Sequence, residues 1–172
     1  MSSARPLRKK PAASSAAPTG TPSATDTPAV DTCFLRTLVG YNTRRASLAI
    51  IEVFMERMAV YDLKVVDFSV LSLVAHNPGV TSRELCATLN VLPPNMVGLI
   101  AGLEKRGLIE RRPHPSDGRA MGVHLTAEGA DLTARAEVTA AQLEVDATAR
   151  LTATERKTLI RLLQKIYLPA GA

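Results

Sequence analysis

The sequence predicts a mainly α-helical chain with one small β-hairpin, and three observations predict it. Apolar residues recur at three- and four-residue spacing through most of residues 31–168, as amphipathic helices require. Two Thr-x-x-Glu boxes, Thr81 to Glu84 and Thr152 to Glu155, mark helix starts, because hydroxyl and carboxylate satisfy unpaired amides reciprocally. One stretch alone changes period: residues 108–112 and 121–125 read as strands on either side of a Pro- and Asp-Gly-bearing loop, 113–120.

Residues 1–30 are nearly all Ala, Ser, Thr and Pro, with prolines at 6, 11, 18, 22 and 28. Such a segment buries too little apolar surface to offset chain entropy, so a disordered tail is expected. Its Arg5, Arg8, Lys9 and Lys10 stand against Asp26 alone, which suits weak attraction to phosphates; the prolines oppose the amphipathic helix of a transit peptide. Asp31 or Thr32 can cap a long helix to about residue 60, with Leu35, Leu38, Tyr41, Leu48, Ile51, Met55 and Met58 at helical spacing. That helix is more apolar than one small domain can satisfy.

A second helix spans about Val66 to Ala75, with Phe68, Leu71 and Val74 inward, and His76-Asn77-Pro78-Gly79 stops it. The Thr81 box opens a short helix ending near Asn90. Pro93 and Pro94 open the next, in the turn where amides lack partners; Val97, Ile100 and Leu103 are its expected inner face and Gly107 its left-handed cap. After the hairpin, one alanine-rich helix runs from Thr126 to about Ala147, and the Thr152 box opens a last one carrying Leu159, Leu162, Leu163 and Ile166.

Composition narrows the function. The 172 residues carry 21 Lys and Arg against 16 Asp and Glu, a net +5 of which the tail holds three. Residues 104–119 are basic (Lys105, Arg106, Arg111, Arg112, Arg119), whereas the stretch after Thr126 leans acidic, a division that points towards nucleic acid. No apolar run reaches the roughly 20 residues of a membrane helix, and the first 30 residues lack a signal-peptide core. Two cysteines, Cys33 and Cys86, fit a reducing compartment, so a cytoplasmic protein is expected. No zinc-ligand spacing, catalytic triad, paired-carboxylate or phosphate-loop arrangement stands out, so neither a cofactor nor enzymatic activity is expected.

A short capped helix, a tight turn, a second helix and a basic hairpin make a winged helix-turn-helix, whose second helix enters a major groove while the hairpin reaches the adjoining minor groove. Residues 33–167 resemble the MarR (multiple antibiotic resistance regulator) family of bacterial transcription factors. Ser116 to Thr126 is similar to the family's wing signature of Asp, any residue, Arg and then Leu-Thr. Gly98 to Arg112 resembles its recognition helix running into the first wing strand, and Leu38 to Ala46 the start of its first helix. The resemblance implies a homodimer in which helices 31–60 and 127–168 form a dimerisation domain and residues 63–126 the winged helix-turn-helix. It implies double-stranded DNA with a near-palindromic operator as partner, no membrane, and repression released by a small aromatic carboxylate or phenol.

Arg119 is the leading DNA contact: at the wing tip it can enter the narrow minor groove, with Asp117 holding its guanidinium. Of Arg111 and Arg112, alternating along a strand, only one can face DNA, and Arg111 is taken. On the recognition helix Asn95 can grip an adenine edge, Met96 and Leu99 can touch thymine methyls, and Gly98 permits close approach; packing inward is the competing reading for Met96 and Leu99. Thr81, Ser82, Arg83 and Lys105 are expected at phosphates. The family's crevice between dimer helices and winged domain would involve Tyr41, Arg44, Arg45, Asp67 and Phe68, although residue by residue core packing is the stronger reading for Tyr41 and Phe68, and solvated charges or dimer salt bridges for the arginines. Two alternatives stand beside this reading. One is a thiol switch through Cys33, which lies about two helical turns earlier than the cysteine of the family's peroxide-sensing branch. The other is a protein-interaction module built on the apolar recognition helix.

Overall fold

A computed structural model describes residues 30–114 and 117–169, with backbone alone for His114 and residues 117–120. The tail up to residue 29, the hairpin tip at Pro115 and Ser116, and the side chains of Asp117 and Arg119 therefore lie outside the described residues. The chain divides into two units, residues 1–33 and 34–172. In the first, the Asp31 carboxylate accepts the Cys33 amide at 2.8 Å, the expected cap, and this bond holds its pKa below the ordinary carboxylate value.

The second unit is mostly helical around a three-stranded antiparallel sheet. The expected single helix over 31–60 is two: α1 (Cys33–Arg36) and α2 (Val39–Met58). Polar side chains make the break. Thr37 Oγ1 donates to Phe34 O at 2.7 Å, and Asn42 Nδ2 donates to Arg36 O and Leu38 O, both at 2.8 Å, while Leu38 turns extended. Side chains that bond nearby carbonyls compete with the helical ladder. A 3₁₀ turn (Ala59–Tyr61) then ends with Asp62 in the left-handed region at φ 51°.

Helix α3 (Val65–His76) starts where the Asp67 carboxylate accepts the Lys64 amide at 3.2 Å. A two-residue strand, β1 (Val80–Thr81), follows; it has too little length to leave a period in the sequence, and it exists because β3 receives it. There Gly122 passes so close to Gly79 that a Cβ would sit 2.7 Å from the Gly79 carbonyl oxygen. Helix α4 (Ser82–Leu89) carries the expected box: Glu84 N donates to Thr81 Oγ1 at 3.3 Å and Thr81 N to the Glu84 carboxylate at 2.7 Å. It ends at Asn90, and α5 (Pro93–Lys105) ends before Gly107, whose φ of 71° gives the anticipated cap.

Strands β2 (Ile109–His114) and β3 (Asp117–Leu125) reach further into the expected loop than composition indicated, with a register shift at Pro113/His114; the sheet order is β1-β3-β2. Ladder bonding to a partner strand, rather than propensity, decided the status of residues 113, 114 and 117–120. Helix α6 (Ala127–Ala147) is capped by Thr126, and α7 (Ala153–Tyr167) by the Thr152–Glu155 box. Phe54, Met58, Leu71, Leu85, Met96 and Leu143 are among the core residues that join α2 and α3 to the winged part and to α6. A polar tie between α3 and α6 is new: Ser72 Oγ donates to Glu137 Oε1 at 2.7 Å and His76 Nε2 lies 3.0 Å from the same oxygen. His76 belongs to the last turn of α3 rather than to the following turn. Among the described residues no single helix is long and apolar enough to cross a membrane.

Candidate nucleic-acid interface

Helices α4 and α5 meet at a bend of 116°, the geometry in which the second helix of a helix-turn-helix projects from its support. The core fixes which face of α5 projects. Met96, Ile100 and Leu103 are buried, Met96 completely, and Leu99 is half-buried against them. Met96 therefore cannot touch a base, and its expected DNA role is corrected: packing against the core won. Leu99 largely follows it. Val97, expected inward, is 57% exposed. Ile100 and Leu103 are inward as expected, and both corrections come from Met96 rather than Val97 completing their stripe, because on an apolar helix the sequence offers several equally apolar stripes.

The projecting face thus carries Pro94, Asn95, Val97, Gly98, Ala101, Gly102 and Lys105, all exposed. A Cβ added at Gly98 or Gly102 would meet nothing within 4 Å, so this surface is open to a close partner. A groove of about 740 Å³ flanks it, between the start of α3 (Lys64, Asp67) and Asn95, Gly98 and Leu99 of α5.

The cations around α5 fall into two kinds. Arg83 and Lys105 are exposed and carry no ion pair among the described residues, as phosphate contacts require. Arg111 and Arg112 are held by neighbours: Arg111 pairs with Glu104 of α5 at 3.2 Å, and Arg112 with Glu110. Such exposed pairs are worth under about 1 kcal/mol and exchange readily for a phosphate. The Thr81 hydroxyl donates to the Glu84 carboxylate at 2.8 Å and so serves the helix cap first; Ser82 beside it is half-buried. Arg119 and Asp117 lie on the backbone of β3, next to the hairpin tip.

Arg106, one of the basic residues of the 104–119 stretch, is structural. It donates to Asp62 O at 2.8 Å and to Tyr61 O at 2.9 Å, fastening the end of α5 to the turn that follows α2. Tyr61 continues the link, its hydroxyl 2.9 Å from Thr139 Oγ1 of α6. A second clamp joins the same corner to the start of α6: Thr126 Oγ1 donates to Gly107 O at 2.6 Å and Thr126 N to Leu108 O at 3.1 Å. Gly129 lies so near that a Cβ would fall 1.8 Å from Leu108 O. The orientation of α5 is therefore set by α2 and α6. Nothing in the local sequence marks Arg106 for this, because its acceptors are main-chain carbonyls over forty residues away.

The expected ligand residues do not converge within one chain. Phe68 packs edge-on against Phe54, ring centroids 5.7 Å apart, and is half-buried against the core. Asp67 is occupied with the Lys64 amide. Tyr41 is half-buried and Arg44 and Arg45 exposed, nine to thirteen residues before Phe54 on α2, roughly 14–20 Å along the axis. Cys33 is exposed on a four-residue helix with a carboxylate, not a cation, at its start; Cys86 is half-buried.

Comparison with known proteins resolves the family. A family model described as MarR family matches residues 61–120. A putative transcriptional regulatory protein for the hcr operon of Thauera aromatica is 31% identical over 130 residues, covering 75% of this chain and 78% of that one. The chain belongs to the MarR family. It is a winged helix-turn-helix transcriptional regulator of that family. Among solved structures, the transcriptional repressor CouR bound to a 23-mer DNA duplex is 36% identical, with a TM-score of 0.75, covering 80% of this chain and 98% of that one. CouR from Rhodococcus jostii RHA1 bound to p-coumaroyl-CoA is 27% identical, with a TM-score of 0.73, covering 80% and 97%.

Proposed function

We propose that this MarR-family regulator is a homodimeric repressor that grips a near-palindromic duplex with α5 and the wing and is released by an aromatic or phenolic acid, free or as a thioester. The observation that carries the dimer is α7. It buries no residue in its own chain, yet Leu159, Ile160, Leu162 and Ile166 stand exposed on it, and Phe34, Leu35, Leu38 and Val39 near the start of the chain's helices are exposed as well. So much exposed apolar side chain is costly in water, and a second copy covers it with the same surface.

Two α5 helices held at fixed separation then enter successive major grooves, with Arg119 of each wing in the flanking minor groove and Asn95, Arg83, Lys105 and Arg111 at bases and phosphates. Tyr41, Arg44 and Arg45 form the effector's polar contacts, in a crevice that the second copy completes. Release follows if the effector favours a dimer geometry in which α5 is misplaced, and the Arg106 and Thr126 clamps pass α2 and α6 movements to α5. A complex of a relative with p-coumaroyl-CoA supports this effector class.

Sedimentation equilibrium and salt-dependent gel shifts on duplexes from the chain's own upstream region test the proposal. A micromolar dimer whose shift is reversed by p-coumarate, salicylate or p-coumaroyl-CoA is expected. A monomer, or indifference to duplex at low salt, overturns it.

A further inference from the structure

We propose that Val97 is a specificity residue of the DNA interface, its exposed isopropyl group reading the 5-methyl of thymine. The inference rests on the DNA-binding reading above and adds which base is read and how.

The argument begins with what α5 lacks. Helix N-termini ordinarily hold phosphates with free amides. Here the first two positions are Pro93 and Pro94, which have no N–H, and the next two amides, of Asn95 and Met96, both bond to Leu92 O at 3.0 and 3.1 Å. The N-cap, Leu92, supplies no side-chain bond. From Leu92 to Gly102 the exposed side chains are those of Leu92, Pro93, Pro94, Asn95, Val97 and Ala101, of which Asn95 alone can hydrogen-bond a base edge. Phosphate anchoring must come from elsewhere, and this face reads bases almost without donors.

The remaining code is apolar. Gly98 and Gly102 face open space, so the α5 backbone can approach base edges closely, which brings Val97 within reach of the groove floor. In the major groove thymine offers a methyl, whereas cytosine, adenine and guanine present donors or acceptors that an isopropyl group would leave desolvated and unpaired. At about 100° per residue, Asn95 and Val97 lie on opposite flanks of the exposed face and address different base pairs. Each half-site therefore carries an adenine for Asn95 and a separate thymine for Val97.

Selection from a randomised duplex pool with the full-length protein, followed by anisotropy titrations in which each thymine is replaced singly by deoxyuridine, tests this. Removing one methyl at one thymine per half-site is expected to weaken wild-type binding about fourfold, the equivalent of one buried methyl group. Val97→Ala, which removes the contact from both half-sites, should lose about sixteenfold on the thymine duplex and bind thymine and uridine duplexes alike. Because Val97 is exposed, circular dichroism of the variant should match wild type. If no thymine position responds, or Val97→Ala discriminates as well as wild type, the inference fails while the DNA-binding reading survives. If the pool yields no enriched duplex at low salt, the DNA-binding reading fails and takes the inference with it.

Discussion

Gly129→Ala tests the clamp between α6 and the recognition helix. An alanine Cβ would lie 1.8 Å from Leu108 O and 2.7 Å from its carbon, where ordinary contact begins at 3.4 Å. Both obstacles are backbone, so α6 must retreat by roughly 1.5 Å, a strain comparable to core overpacking at about 1–3 kcal/mol. The retreat also breaks the Thr126 N–Leu108 O and Thr126 Oγ1–Gly107 O bonds, each worth about 1 kcal/mol net. Alanine's better helix propensity returns at most about 1 kcal/mol. A net destabilisation of about 2–4 kcal/mol is expected from urea denaturation at fixed protomer concentration, with weaker DNA binding because α5 loses its support. Gly98→Ala and Gly102→Ala, facing open space, should leave stability unchanged or raised by up to about 1 kcal/mol while hindering DNA approach. If Gly129→Ala melted like wild type, or if all three glycines behaved alike, the clamp would not exist.

Arg119→Ala should weaken duplex binding and lower the slope of log affinity against log salt by about one per wing, with unchanged melting; an unaltered slope would remove Arg119 from the interface. Arg106→Met leaves the Tyr61 and Asp62 carbonyls without their donor and should cost about 1–2 kcal/mol of stability, together with DNA affinity out of proportion to the loss of one surface charge; a purely additive charge effect, reproduced by Arg106→Lys, would contradict its fastening role. The Glu155 carboxylate has its pKa held below 4.5 by the Thr152 amide and then by the Thr152 hydroxyl. A depressed pKa contributes stability that is present above the unfolded value and lost as pH falls through the folded one, so Glu155→Gln should flatten the stability profile below about pH 4.5; a profile matching wild type through that window would show that the box does not hold α7.

The predicted order of helices and hairpin was readable because each signal is local. The Thr81 and Thr152 boxes, the prolines at 93 and 94 and Gly107 act within one turn of chain, and each starts or stops a helix where expected. Misplaced elements are those whose existence depends on a remote partner. Strand β1 is made by β3, and the extension of β2 and β3 over residues 113, 114 and 117–120 by their mutual ladder. The break at Thr37–Leu38 depends on side chains turning back to carbonyls, a choice invisible in hydropathy.

The DNA face was half legible. Asn95, Gly98 and Lys105 project as expected, since they lie away from the Ile100 and Leu103 stripe that both the expected and the observed inner faces share. Met96 and Val97 exchanged places because both are apolar, and only the core holding Ile100 and Leu103 selects between them. Sequence alone determined the capped helices, the basic hairpin and the family motifs, because these are properties of neighbouring residues. The tertiary structure decided which side of α5 is exposed, that Arg106 braces the turn after α2, and that Phe68 packs against Phe54, because burial and long-range contacts belong to pairs of residues distant along the chain.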